Sequence, residues 1–125
     1  MFKKFKKLIV TVMVAACLMA GIVNVDAKEA EPVNLGEFKI TYYWPGEDNW
    51  GYQTASGVKS CHLYTVAVDP DVIPLGSVLM IDGWEYLAVD VGGAVKGNVI
   101  DIFSESPRHE TYHTDVEIVK WGKWK

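Results

Sequence analysis

An all-β domain, closed as a barrel or packed as a small sandwich, is what this sequence predicts, and three observations carry the prediction. No segment sustains a helical period of apolar residues. Six short runs are rich in β-branched and aromatic residues. Glycine, proline, aspartate and asparagine break the chain between those runs at short intervals.

The runs follow in order. Phe38 to Trp44 is β-branched and aromatic, and the Pro45–Gly57 segment after it, with three glycines, reads as a loop. Tyr64 to Val68 is a short apolar strand that Pro70, Pro74 and Gly76 turn away. Val78 to Ile81 and Trp84 to Val89 flank Asp82-Gly83, a two-residue hairpin signal. Gly92-Gly93 and Gly97-Asn98 mark the bends before the strand Val99 to Phe103. Ser104 to His113 is polar, with room for one helical turn, and Val116 to Trp121 is the last strand. Ala67-Val68-Asp69, Gly76, Val78 and Ile81 recur 21 residues later as Ala88-Val89-Asp90, Gly97, Val99 and Ile102, which points to two related strand-loop-strand units.

The first 27 residues read as a secretory signal rather than as part of that domain. Four lysines lie in Met1 to Lys7, Leu8 to Val23 is apolar, and Val25-Asp26-Ala27 is a small-x-small cleavage site. The apolar run of 16 residues is shorter than the ~20 that a spanning helix needs. Val14-Ala15-Ala16-Cys17 offers a second, lipoprotein reading, but Leu18-Met19 continue the apolar run beyond the cysteine. The expected organisation is a signal over residues 1–27, a polar linker over 28–36 and one domain over 37–125, exported. Without the signal the chain carries 8 basic and 15 acidic residues, which excludes the basic footprint of a nucleic-acid or anionic-membrane binder. Cys61 is then the one thiol outside the signal, so no internal disulfide supports the fold. Its neighbour His62 points to the opposite face of an extended chain, which argues against a cysteine–histidine pair.

Three aspartates stand out, because carboxylates are depleted from strands and costly to bury. Asp69 precedes Pro70 and suits a turn. Asp90, before Val91-Gly92-Gly93, is open to a structural or a functional role. Asp101 sits mid-strand in Val99-Ile100-Asp101-Ile102-Phe103, where no turn explains it. Apolar surroundings disfavour its charged form, which suits a general acid that stays protonated near neutral pH; the alternative is an edge position facing solvent. The aspartates lack local ligand spacing, and neither a metal nor another cofactor is expected, even with His62, His109 and His113 considered.

These blocks resemble a known family. Val66-Ala67-Val68-Asp69-Pro70, Val72-Ile73-Pro74-Leu75-Gly76, the run Asp90-Val91-Gly92-Gly93-Ala94-Val95-Lys96-Gly97-Asn98 and Ile100-Asp101-Ile102 are similar to the 3D domain, named for its three aspartates. Thr54-Ala55-Ser56-Gly57 fits the same pattern, and the resemblance covers Phe38 to about Phe103. The family resembles in turn the catalytic barrel of membrane-bound lytic transglycosylase A and the stationary-phase survival muralytic proteins. The resemblance implies a six-stranded double-psi β-barrel that cleaves the β-1,4 bond between N-acetylmuramic acid and N-acetylglucosamine in peptidoglycan. It implies Asp101 as the catalytic acid/base, with Asp90 and Asp69 holding or polarising the site. It also implies a cleft near Thr54. The sequence departs from the family at Val99, where relatives frequently carry arginine, and at Ser106 to Asp115, where many carry a Gly-x-Arg stretch.

Substrate contacts are expected from Thr54, Gly92, Gly93, Lys96 and Tyr42, with Tyr43, Trp44 and Trp50 as further aromatics able to stack on sugars. The expected partner is the peptidoglycan glycan strand, met by a monomer. A wall-binding, expansin-like barrel without catalysis, or a hydrolase that uses water, are the alternative readings.

Overall fold

A computed structural model describes residues 31–47 and 49–123; the signal and lipoprotein readings lie outside the described residues. Six strands run β1 (Val33–Tyr43), β2 (Thr65–Ala67), β3 (Val78–Ile81), β4 (Trp84–Asp90), β5 (Val99–Phe103) and β6 (Tyr112–Lys120). They close into a barrel in the order β1-β5-β2-β4-β3-β6. Two of the pairings, β1 with β5 and β2 with β4, are parallel, and the other four are antiparallel. The members of each parallel pair are not consecutive in the chain, so the connections must cross over the barrel wall. That crossing is what makes a six-stranded barrel a double-psi barrel, as the resemblance implies.

Alternation sorts the side chains. Phe38 and Ile40 of β1, Val66 of β2, Leu79 and Ile81 of β3, Tyr86 and Ala88 of β4, Ile100 and Ile102 of β5, and Val116 and Ile118 of β6 fill the interior. At about 1.5–3 kcal/mol for each large apolar side chain removed from water, this one core outweighs the other interactions in the domain. The Asp82-Gly83 hairpin forms as its composition predicts. Both residues hold positive φ (53° and 86°), the pattern of the tight turn that matches strand twist. Gly76 and Gly97, the matched glycines of the repeat, also share positive φ (93° and 69°).

Three expectations change. Residues 33–36 are not linker: they open β1, pairing with β6 through Val33↔Ile118 and Gly36↔Val116. A bulge absorbs the polar residues there, with Gly36 N–H donating to Asn34 Oδ1 at 2.7 Å. The 104–111 segment holds no helical turn, and β6 begins at Tyr112 rather than Val116. Its hold comes from elsewhere: Glu105 N–H donates to His62 Nδ1 at 2.9 Å, and Ser104 Oγ donates to the Ser106 carbonyl.

Candidate active site

The outer face of β1, β5, β2 and β4 carries the site. Along β5, Ile100 and Ile102 point inward, so Asp101 points out with Val99 and Phe103, as alternation requires. Ala67 of β2 is the cross-strand neighbour of Asp101 on one side and of Asp90 on the other. Two strand spacings, about 10 Å, therefore separate the backbones of the two aspartates, and only a methyl group stands between them. The 44–57 loop and the 91–97 loop rise on either side. Together they enclose a cleft of about 750 Å3, lined by Asp101, Asp90 and Ala67 on its floor and by Glu47, Trp50 and Thr54 among its walls.

Each carboxylate is held differently. Asp101 is half-buried, and burial pushes its carboxyl above the ordinary carboxylate range; the charges of Glu47 and Asp90 push the same way. Thr41, its partner in the parallel β1–β5 ladder, donates its hydroxyl to Asp101 Oδ1 at 2.7 Å and partly opposes that shift. Asp90 is an anchored acceptor. Its Oδ1 takes the N–H groups of Ala55 (3.0 Å) and Val91 (2.9 Å), and its Oδ2 takes the Tyr43 hydroxyl (3.0 Å). Asp90 thus ties the 52–57 loop to the end of β4 and fixes the width of the cleft. Burial and the Asp90 charge raise the Tyr43 phenol far above its ordinary range, so it remains a donor.

Asp69 does not line the cleft. Its Oδ2 accepts Gly97 N–H at 2.8 Å and its Oδ1 accepts Asp71 N–H at 3.0 Å. It braces the base of the 91–97 loop, which is the turn role its place before Pro70 suggests. Those backbone bonds hold its carboxyl below the ordinary range. A depressed folded-state value adds stability above the ordinary carboxylate range, and that stability is lost as pH falls through the folded value. Melts taken from pH 7 to pH 2 are therefore expected to show a wild-type advantage over Asp69→Asn at pH 7 that shrinks in acid. A gap independent of pH would exclude the carboxylate as its source.

Of the substrate contacts expected from sequence, Thr54, Gly92, Gly93 and Lys96 line the cleft. Thr54 does so with its hydroxyl turned into its own loop, donating to the Val58 carbonyl. Tyr42 is a correction. It points to the inner side, packs on the core and lies under Arg108, 4.4 Å from guanidinium to ring centroid. Tyr43, one residue on, is the tyrosine in the cleft. Trp44 is also elsewhere, edge-on to His109 at 5.0 Å, whereas Trp50, 66% exposed, lines the cleft. Sequence reasoning missed Thr41, Glu47 and Ala67. Thr41 and Ala67 carry no signal without the strand register, and Glu47 sits in a loop whose composition predicts only a loop. Among the described residues, no three histidine, cysteine or carboxylate groups come together as metal ligands.

Comparison with known proteins places this barrel. Over 57 residues the chain is 49% identical to the cell wall-binding protein YocH of Bacillus subtilis (strain 168), covering 42% of this chain and 20% of that protein. Over 54 residues it is 48% identical to the putative cell wall shaping protein YabE of the same organism, covering 40% of this chain and 13% of that one. The match thus spans a fifth or less of these curated relatives. Among solved structures, MltA from E. coli aligns at 25% identity with a TM-score of 0.49, covering 56% of this chain and 28% of that one. The family model of the 3D domain matches residues 64–118, which take in β2 to β5, most of β6 and all three aspartates. Over residues 64–118 this chain is similar to the 3D domain.

Proposed function

We propose that this domain cleaves the glycan strands of peptidoglycan as a lytic transglycosylase at the cell wall, with Asp101 as the one acid/base. The observation that carries this reading is the setting of Asp101: a half-buried carboxyl on the floor of an open cleft, raised above the ordinary carboxylate range by burial and by the charges of Glu47 and Asp90. The family match and the wall-related names of the relatives support a cell-wall glycan as the substrate.

The chemistry needs one carboxyl. Asp101 gives its proton to the glycosidic oxygen as the bond from C1 of N-acetylmuramic acid breaks. The resulting carboxylate takes the proton of the C6 hydroxyl of the same sugar as that oxygen bonds to C1. A 1,6-anhydro ring forms, and Asp101 ends protonated. Because the nucleophile belongs to the substrate, its effective molarity is high and no water has to be positioned. Thr41 aims the carboxyl, and Asp90 and Glu47 favour its protonated form. Asp90 itself, anchored by three donors, serves as wall and charge rather than as the proton carrier.

Mass spectrometry of fragments released from purified sacculi tests the reading. Anhydro-ended products are expected; reducing ends would indicate a water-using hydrolase. A second reading, binding without cleavage, is favoured by the name of the YocH relative, and sacculi that are bound without release of fragments would establish it. Neither step draws on a metal, and release is expected to continue in excess EDTA. Loss on chelation, restored by added Ca2+ or Zn2+, would refute the one-carboxyl mechanism.

A further inference from the structure

The cleft is acidic on its floor but not on all its walls. Glu47, Asp90 and Asp101 line it, and Lys96 is the one basic residue among the lining groups. Lys96 is exposed and makes no ion pair or hydrogen bond among the described residues; Asp69, which feels its charge, is already engaged by Gly97 and Asp71. The backbone beside it is equally open. In the turn closed by Val95 N–H to the Gly92 carbonyl (3.0 Å), the N–H groups of Gly93 and Ala94 have no acceptor among the described residues. Gly93 and Ala94 are exposed and line the same cleft. A side-chain cation and adjacent unpaired backbone donors on one short loop are the elements of an anion-binding concavity.

We propose that the 93–96 wall is a carboxylate subsite, with Lys96 and the Gly93 and Ala94 N–H groups receiving an anionic group borne by the glycan. The proposal rests on the glycan-cleaving reading and deepens it. N-acetylmuramic acid carries a lactyl carboxylate, or a peptide with further carboxylates attached to it, and N-acetylglucosamine carries neither. The acidic floor repels such a group and the 93–96 wall attracts it. The charge pattern therefore sets which sugar lies against which end of the cleft, and so which of the two alternating bonds meets Asp101. A chain whose expected exported part is net acidic gains no general attraction to an anionic polymer, so discrimination of this kind has to be local.

The test is binding, measured by calorimetry on full-length Asp101→Asn protein so that no strand is cut during titration. Three ligands of equal length are compared: peptide-free strands with free lactyl carboxylates, the same strands with those carboxylates amidated, and strands that keep their peptides. With Lys96 present, carboxylate strands are expected to bind about three- to tenfold tighter than amidated ones, the range of an exposed charge-assisted contact, and salt should erode the ratio. In Lys96→Met the ratio should shrink toward one, and Lys96→Arg should retain it. A preference seen only with peptide-bearing strands would assign the carboxylate to the peptide. A ratio left unchanged by Lys96→Met, or no binding to any strand, overturns the subsite. Sacculi that release no fragments while the Lys96-dependent ratio persists would overturn only the lytic reading.

Discussion

Asp101→Asn is expected to lower the release of anhydro-ended fragments by at least ~10²–10⁴-fold, the range for losing a positioned general acid/base, while leaving the barrel folded. The amide keeps the size of the carboxyl and still accepts the Thr41 hydroxyl through its oxygen. It removes the proton that the first step transfers. The stability consequence has the opposite sign. Burial raises the Asp101 carboxyl above its ordinary range, so across that window the folded state binds more protons than the unfolded chain. Stability then falls as pH rises through the window, and at neutral pH the ionised carboxylate opposes folding. The amide carries no such charge. Asp101→Asn is therefore expected to melt at or above the wild-type temperature at pH 7, with the difference vanishing below the ordinary carboxylate range. An inactive variant that is also more stable marks a group kept for chemistry at some cost to the fold. The pH dependence of the wild-type rate follows from the same sign: turnover should decline on the alkaline side as Asp101 loses its proton. Glu47→Gln, which removes a charge that favours the proton, should move that decline to lower pH. A folded Asp101→Asn protein with near wild-type release would end the proposed mechanism.

What the sequence reveals of this architecture is what depends on nearest neighbours. The strand β5 and the shared face of Val99, Asp101 and Phe103 follow from alternation within five residues, while the barrel interior, filled by Ile100 and Ile102, decides that this face points outward. The Asp82-Gly83 hairpin and the capping role of Asp69 follow from local turn chemistry. The site is harder to read because its members are joined by register. Tyr42 and Tyr43 are chemically alike and adjacent; alternation from Phe38 and Ile40 puts Tyr42 on the inner side, and the pairing Tyr43↔Phe103 brings Tyr43 beside the cleft. A shift of one residue would exchange them. Ala67 looks like any strand alanine until β2 is seen between β4 and β5, where its small side chain leaves room above the floor. Thr41 is 60 residues from Asp101, and the bond between them exists only because those strands run parallel. The start of β1 was obscured for a different reason: Asn34 and Gly36 have poor strand propensity, and the bulge that accommodates them is stabilised by a partner strand at the far end of the domain.

Phe103→Ala is expected to give the largest loss of stability among changes beside the cleft. Phe103 is fully buried, yet it faces outward from β5 and lies outside the barrel's interior cluster. It forms a second, smaller core between the sheet and the 44–57 loop. The Tyr43 ring meets it edge-on and the Tyr52 ring tilts against it, both at 5.4 Å between centroids. Two backbone bonds clamp the same place, Leu63 N–H to the Phe103 carbonyl and Ser104 N–H to the Tyr43 carbonyl, each 2.8 Å. These bonds resist collapse of the backbone into the space an alanine would leave. The cost should therefore lie toward the upper part of the ~3–5 kcal/mol range for truncating a buried phenylalanine, on the order of 15 °C or more in melting temperature for a domain this small. Phe103→Leu refills most of the volume and should recover more than half of that loss. The functional effect travels through Tyr43. With its ring unsupported, the hydroxyl no longer holds Asp90 Oδ2 in place, and the Asp90–Ala55 tie that sets the cleft width loosens. Assayed well below its melting temperature, where it is folded, Phe103→Ala should still turn over more slowly than wild type, whereas an interior truncation such as Ile118→Ala should lose stability with little change in rate. Thermal melts followed by circular dichroism, paired with fragment release at low temperature, separate the two effects. Equal rates for Phe103→Ala and wild type would show that the aromatic layer supports the fold alone and not the geometry of the aspartates.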